Sequence, residues 1–202
     1  MARPPDPDLE DRILNAAGKL WRNGQGKALT MRAVARAART NTPAVYRRFR
    51  SRDDILRSLL LRTRQEVSQK LRTASSVEEA CERYLDFALS HPSEYELYFL
   101  HEHDLFFSAR SKRGVTLNQI LKQKRPVVEF MKSKLAAQLG ESPDDCTRLA
   151  LALWAQLHGT AMLLIAKTIL PQHAAEMCSI CRTSIKTLLR EARRFADQNR
   201  RE

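Results

Sequence analysis

The stretch from Thr30 to Arg52, TMRAVARAARTNTPAVYRRFRSR, restricts this chain more than any other. Thr30 is suited to cap a helix whose inward residues are Met31, Val34, Ala35 and Ala38, small or apolar side chains at helical spacing. Arg39-Thr40-Asn41 breaks that pattern. Asn41 or Thr42 then caps a second short helix with Pro43 in its first turn, where a missing N–H costs nothing. At about 100° per residue, Val45 and Phe49 fall on one side of this helix, and Pro43, Ala44, Tyr46 and Arg47 fall on the other. Seven arginines (Arg32, Arg36, Arg39, Arg47, Arg48, Arg50, Arg52) accompany the pair, with no acidic residue among them. Two short helices around a tight corner, with an unopposed positive face, predict a helix-turn-helix that enters a DNA major groove. Arg47 or Arg32 then reaches guanine O6 and N7, and Ala44 or Pro43 meets a thymine methyl.

The charge distribution agrees. Over its 202 residues the chain carries a formal charge of +12, which favours a polyanionic partner. Residues 1–56 hold twelve Lys/Arg and six Asp/Glu, so half the excess, +6, falls in about a quarter of the chain. With 43% apolar residues the chain is globular rather than disordered. No run approaches 18 consecutive apolar residues, and MARPPDPDLE lacks the apolar centre of a signal peptide, so a cytoplasmic protein with no membrane partner is expected. Its four cysteines, Cys81, Cys146, Cys178 and Cys181, are then reduced thiols.

The rest of the chain reads as helices in series. Residues 1–8 form an arm. Leu9 to Asn23 carries the stripe Ile13, Ala16, Ala17, Leu20, Trp21, and should pack across the two helices already described. Ser51 caps a fourth helix running to about Thr73, with Leu56, Leu59, Leu60, Val67 and Leu71 inward. Ser75 or Ser76 caps a fifth, ending near Pro92, and an aromatic-rich segment spans Ser93 to about His103. A loop follows at 108–114, then a helix from Val115 to Leu139 in which Pro126 marks a kink or a boundary. Asp144 to Leu170 is the most apolar stretch, and Pro171 opens a final helix. No strand alternation or repeat occurs, so the fold class is all-α. The expected division is a DNA-binding domain at 9–56 and a larger helical effector-binding and dimerisation domain at 57–202.

Residues 12–56 resemble the DNA-binding domain of TetR/AcrR-type bacterial regulators. The landmarks are Ile13…Ala16-Ala17…Leu20-Trp21, Gly26 before Thr30, Val34-Ala35…Ala38, Val45-Tyr46…Phe49 and Arg52…Ile55-Leu56. Family members usually carry Gly where this chain has Arg39, and many carry Gly where it has Pro43. The resemblance implies that Thr30, Tyr46, Arg48 and Arg52 hold backbone phosphates, while Arg32, Thr42, Pro43 and Arg47 lie near base edges, with Asn41 and Ala44 in the same surface. The second half resembles C-terminal domains of that family bearing a Trp…His-Gly signature, here Trp154, His158 and Gly159. There the last two long helices build a four-helix dimer interface. Leu151, Ala155, His158, Met162 and Ile165 supply the expected seam on one helix, and Ile180, Ile185, Leu188 and Leu189 on the other. The resemblance further implies an effector pocket, with Tyr95, Phe99, Phe106, Phe130, Trp154, Gln156 and His158 as candidate walls; plain core is the competing role for each.

The remaining constellations are weaker. His101 and His103 are spaced to opposite sides of a helix, and Cys178-x-x-Cys181 lacks a second pair at zinc-site spacing, so no metal and no cofactor is expected. No nucleophile elbow, P-loop, dinucleotide fingerprint or H-E-x-x-H motif is present, which argues against an enzyme. The resulting expectation is a homodimeric, sequence-specific repressor, released from a palindromic operator in double-stranded DNA by a small molecule. The rivals are an architectural DNA binder without sequence preference and a helical ligand carrier.

Overall fold

In a computed structural model the described residues are 6–24, 29–100 and 125–199, and among them every regular element is helical. Phe106, His101 to Asp104, the expected loop at 108–114 and residues 115–124 lie outside the described residues. The chain divides into two compact units, and its fourth helix runs through both.

The first unit contains α1 (Leu9–Gly24), α2 (Met31–Ala37), α3 (Thr42–Arg48), the start of α4 (Arg52–Arg72), and α6 (Pro92–Leu100) from Ser93 onward. Ile13, Ala17 and Trp21 of α1 meet Val34 and Ala35 of α2, Val45, Phe49, and Ile55 and Leu59 of α4 in one apolar cluster. This unit differs from the expected 9–56 domain. It continues to Arg64 and, among the described residues, takes in 93–100. The physical reason is a set of contacts between segments far apart in the chain: the Trp21 indole donates to the Ser93 carbonyl at 2.8 Å, Arg22 pairs with Glu94 at 2.6 Å, and Leu97 enters the core.

The second unit holds the end of α4, α5 (Val77–Ser90), α7 (Pro126–Leu139), α8 (Thr147–Ile165), a 3-10 turn at Pro171–His173 and α9 (Ala174–Asn199). Helix α8 packs on α5, α7 and α9 through Ala150, Leu153, Leu157 and Ala161. By length and mean hydropathy (1.3) α8 is long and apolar enough to cross a membrane, and 28% of that stretch is buried inside the chain. Of the two readings of Pro126, the boundary holds: it stands in the first turn of α7. Gly140 closes that helix at φ 67, a left-handed conformation that costs glycine nothing. A reciprocal cap starts α5. The Ser76 hydroxyl accepts from the Glu79 N–H at 3.1 Å, and the Glu79 carboxylate accepts from the Ser75 N–H and hydroxyl, both at 2.6 Å. Those bonds, with Arg83 beside them, pull the Glu79 carboxyl down to about 2.

The corner after α2 shows how this chain does without the family's glycine. Arg39 has φ 54, and the Thr40 N–H reaches back to the Ala35 carbonyl at 2.9 Å. An L-residue held there is strained, so Arg39→Gly should stabilise the first unit by about 1 kcal/mol. Chemical denaturation checks this; a fall in midpoint at unchanged slope would contradict it.

Candidate nucleic-acid interface

Helix α3 is held by its own cap. The Asn41 side-chain oxygen accepts from the Ala44 N–H at 2.8 Å, as Thr30 does for Ala33 at 3.1 Å at the start of α2. Both caps leave donors free for an anion: the Thr30 hydroxyl proton and the Asn41 amide. Val45 and Phe49 are buried, so the opposite side of α3 faces out. Tyr46 is 53% exposed, Pro43, Arg47 and Arg48 are exposed, and Thr42 is half-buried. Arg32 and Arg36 are exposed on α2. Among the described residues, the side chains of Arg32, Arg36, Tyr46 and Arg47 make no hydrogen bond or ion pair within the chain.

Two of the expected phosphate-binding arginines are partly engaged. Arg48 donates to the Asp6 carbonyl at 3.2 Å. Arg52 donates through Nε to the Leu29 carbonyl at 3.1 Å, tying the start of α4 to the residue before Thr30, and its Nη1 lies 3.8 Å from Asp53. Ala44 requires a correction: it is only 4% exposed and packs inward beside Val45, so its methyl is not offered to a thymine. The arc a short helix buries is wider than one row of side chains, and Ala44 falls within it.

In the second unit the Trp154 ring stacks on His158 at 5.3 Å with planes 8° apart, and the Arg125 guanidinium lies over Trp154 at 4.8 Å. Burial, and then the Arg125 charge, lower the His158 pKa below its ordinary value. The folded protein therefore holds this imidazole neutral where the unfolded chain takes up a proton. Stability should fall as pH drops from about 6.5 towards the lowered folded pKa. His158→Phe should flatten that part of a melting-temperature profile, while an unchanged slope would remove His158 as its source.

The other expected pocket residues do not gather in one described cavity. Tyr95 is fully buried in the first unit, with the Phe99 ring tilted against it at 42°, centroids 4.3 Å apart. Phe130 and Gln156 are half-buried in the second unit. One open groove there, about 310 Å³, is lined by Lys70, Thr73, Arg83, Asp86, Phe87 and Ser90. A much smaller cavity, about 20 Å³, lies among α5, α8 and α9. Neither is lined by a residue expected as a pocket wall.

The dimer-seam residues also separate. Ile185 and Leu189 are buried against the chain's own core, a correction to their expected place between two copies. Leu151, Met162, Ile165 and Leu188 are half-buried, while Ala155 and Ile180 are exposed. Gly159 is exposed too, and a Cβ added there meets nothing within 4 Å.

A helix-turn-helix with a bare cationic outer side, followed in the chain by a separate helical unit, defines a class: DNA-binding regulators of transcription. Residues 13–59 match the family model of bacterial regulatory proteins, tetR family, and residues 77–182 match that of tetracyclin repressor-like C-terminal domains. The chain belongs to the TetR family. Solved structures share its fold. A TetR-family transcriptional regulator from Streptomyces coelicolor aligns over 91% of this chain and 99% of its own, with TM-score 0.59 and 20% identity. A TetR-like transcriptional regulator from Rhodococcus sp. RHA1 aligns over 89% and 96%, with TM-score 0.59 and 18% identity. A protein of unknown function from the same Rhodococcus aligns over 95% and 98%, with TM-score 0.68 and 19% identity. No curated protein matches the chain.

Proposed function

We propose that this protein is a homodimeric, sequence-specific repressor that leaves a palindromic operator when a small molecule binds its second unit. The observation that carries the DNA-reading part is the outward side of α3 with the adjacent arginines of α2. Arg32 and Arg47 spend no charge inside the chain, and the fold aims Val45 and Phe49 away from them. Such unspent cations release counterions from DNA and read guanine edges. Thr30, Tyr46, Arg48 and Arg52 take the phosphates, and Arg32, Thr42, Pro43 and Arg47 stand at the groove.

The dimer rests on α8 and α9. Ala155, Gly159 and Leu163 leave an exposed line of small and apolar side chains on α8, and Ile180 (55% exposed) and Phe195 (66% exposed) do so on α9. A second copy laid on these helices covers that surface and presents two heads related by a two-fold axis. The effector acts by population shift: it favours a dimer whose heads no longer match the half-site spacing. The protein works in the cytoplasm, on chromosomal DNA.

Selection of bound DNA from a random pool tests the reading. The expected product is an inverted repeat whose half-site centres lie about one helical turn, roughly 34–36 Å, or a multiple of it apart. An unenriched pool would favour an architectural binder. Light scattering should give twice the chain mass, and Gly159→Glu with Ile180→Glu should return the chain to monomers. A dimer that survives both changes would place the seam elsewhere.

A further inference from the structure

The small cavity of the second unit is lined by Cys81, Leu85, Leu157, Cys181 and Ile185, with Glu78, Glu82, Arg182 and Lys186 at its rim. The rim carboxylates are already committed: Glu82 faces Arg182 at 3.9 Å, and Glu78 accepts from Arg193 at 3.0 Å and from Gln138 at 3.4 Å. That leaves the two thiols, on different helices and only 2% and 1% exposed, as the cavity's own donor atoms. At about 20 Å³ the space admits one water-sized guest and excludes an organic effector, which takes roughly 300 Å³ or more. Thiols are poor hydrogen-bond partners for a lone water, which wants two to four polar contacts. They are strong ligands for a soft ion. Among the described residues no group of three or more His, Cys, Asp or Glu side chains converges, so tetrahedral and octahedral ions find no ligand set.

The geometry points to a binding site for one soft, thiophilic divalent cation, held in two-coordinate fashion by the sulfurs of Cys81 and Cys181. Two S–H bonds break, two metal–sulfur bonds form, two protons pass to solvent, and no oxidation state changes. The exchange of two protons for one divalent ion leaves the charge of the apolar cavity unchanged. This removes the main objection to a buried ion. In the sequence Cys181 stands three residues from Cys178; in the fold it lines one cavity together with Cys81 of another helix. The proposal goes beyond the DNA-binding reading and does not depend on it.

The test is a titration of the reduced full-length protein with mercuric chloride against a competing monothiol. Sulfur-to-metal charge-transfer absorption reports binding, and thiol counting after denaturation reports which cysteines are taken. One tightly bound equivalent protecting two of the four thiols is expected. Because the second sulfur acts at high effective concentration, Cys81→Ser and Cys181→Ser should each weaken binding by about 100-fold, while Cys146→Ser and Cys178→Ser bind as the parent does. Cys81→Ala, with its circular dichroism compared with the parent, separates a lost ligand from a lost fold. Binding that survives Cys81→Ser but fails in Cys178→Ser would overturn the proposal in favour of the α9 pair. So would uptake that the monothiol abolishes, which marks four independent buried thiols.

Discussion

Trp21→Ala should unfold the DNA-reading unit under conditions in which the parent protein is intact, with a loss of about 3–5 kcal/mol. The indole is 4% exposed in the cluster that joins α1, α2, α3 and α4. Its removal leaves a cavity the size of two rings. It also strips the Ser93 carbonyl of a 2.8 Å hydrogen bond, and with it a tie that holds α6 in the unit. Total stabilities of about 5–15 kcal/mol make such a loss decisive. Trp21→Phe separates the two contributions: it keeps much of the buried area and gives up the N–H donor, for about 1 kcal/mol. Urea unfolding followed by circular dichroism measures both, since loss of helix reports the transition whether or not the indole is present. Equal midpoints for the two variants would mean that packing of the ring contributes nothing, contrary to its burial.

What the sequence made readable, and what it hid, follows from the range of the interactions involved. Caps were readable because they are local: Thr30, Asn41 and Ser76 each bind an N–H three residues on. The inward residues Val45 and Phe49 were readable because one turn of helix returns a side chain to the same side. Ala44 was not, since a methyl serves either side equally well and only the width of the buried arc decides. Helix α9 was harder still. Cys178, Cys181, Ile185, Leu189 and Ala196 face the core, while Ile180 and Phe195 face out, so its apolar residues occupy two sides. A one-dimensional reading merges them, and Ile185 and Leu189 went to the wrong one. The tie from Trp21 to Ser93 spans 72 residues and ends on a backbone carbonyl, which no side-chain pattern announces. Arg39 is the opposite case: the departure from glycine was visible, and the backbone takes the left-handed turn regardless.

Replacing Arg47 and Arg52 by alanine should produce two different kinds of damage to DNA binding. Arg47 is exposed on α3 and has no intrachain partner among the described residues, so Arg47→Ala leaves the fold alone. If its guanidinium reads O6 and N7 of one guanine, its loss costs about 1–3 kcal/mol on the selected operator, roughly 5- to 150-fold in affinity. Random DNA offers no such guanine in register and should lose little. Arg52 differs because its Nε is bound to the Leu29 carbonyl, beside the cap residue of α2. Arg52→Ala therefore removes one phosphate contact and also loosens the placement of Thr30. Operator and random DNA should weaken by the same factor, and the slope of log affinity against log salt should become shallower by about one unit. Arg52→Lys restores the charge without the Nε bond to Leu29, so it should recover the salt slope but not the full affinity. Binding isotherms on both DNAs at several salt concentrations decide the matter. Parallel losses on operator and random DNA for Arg47→Ala would remove base reading from α3 and leave it as a charged surface alone.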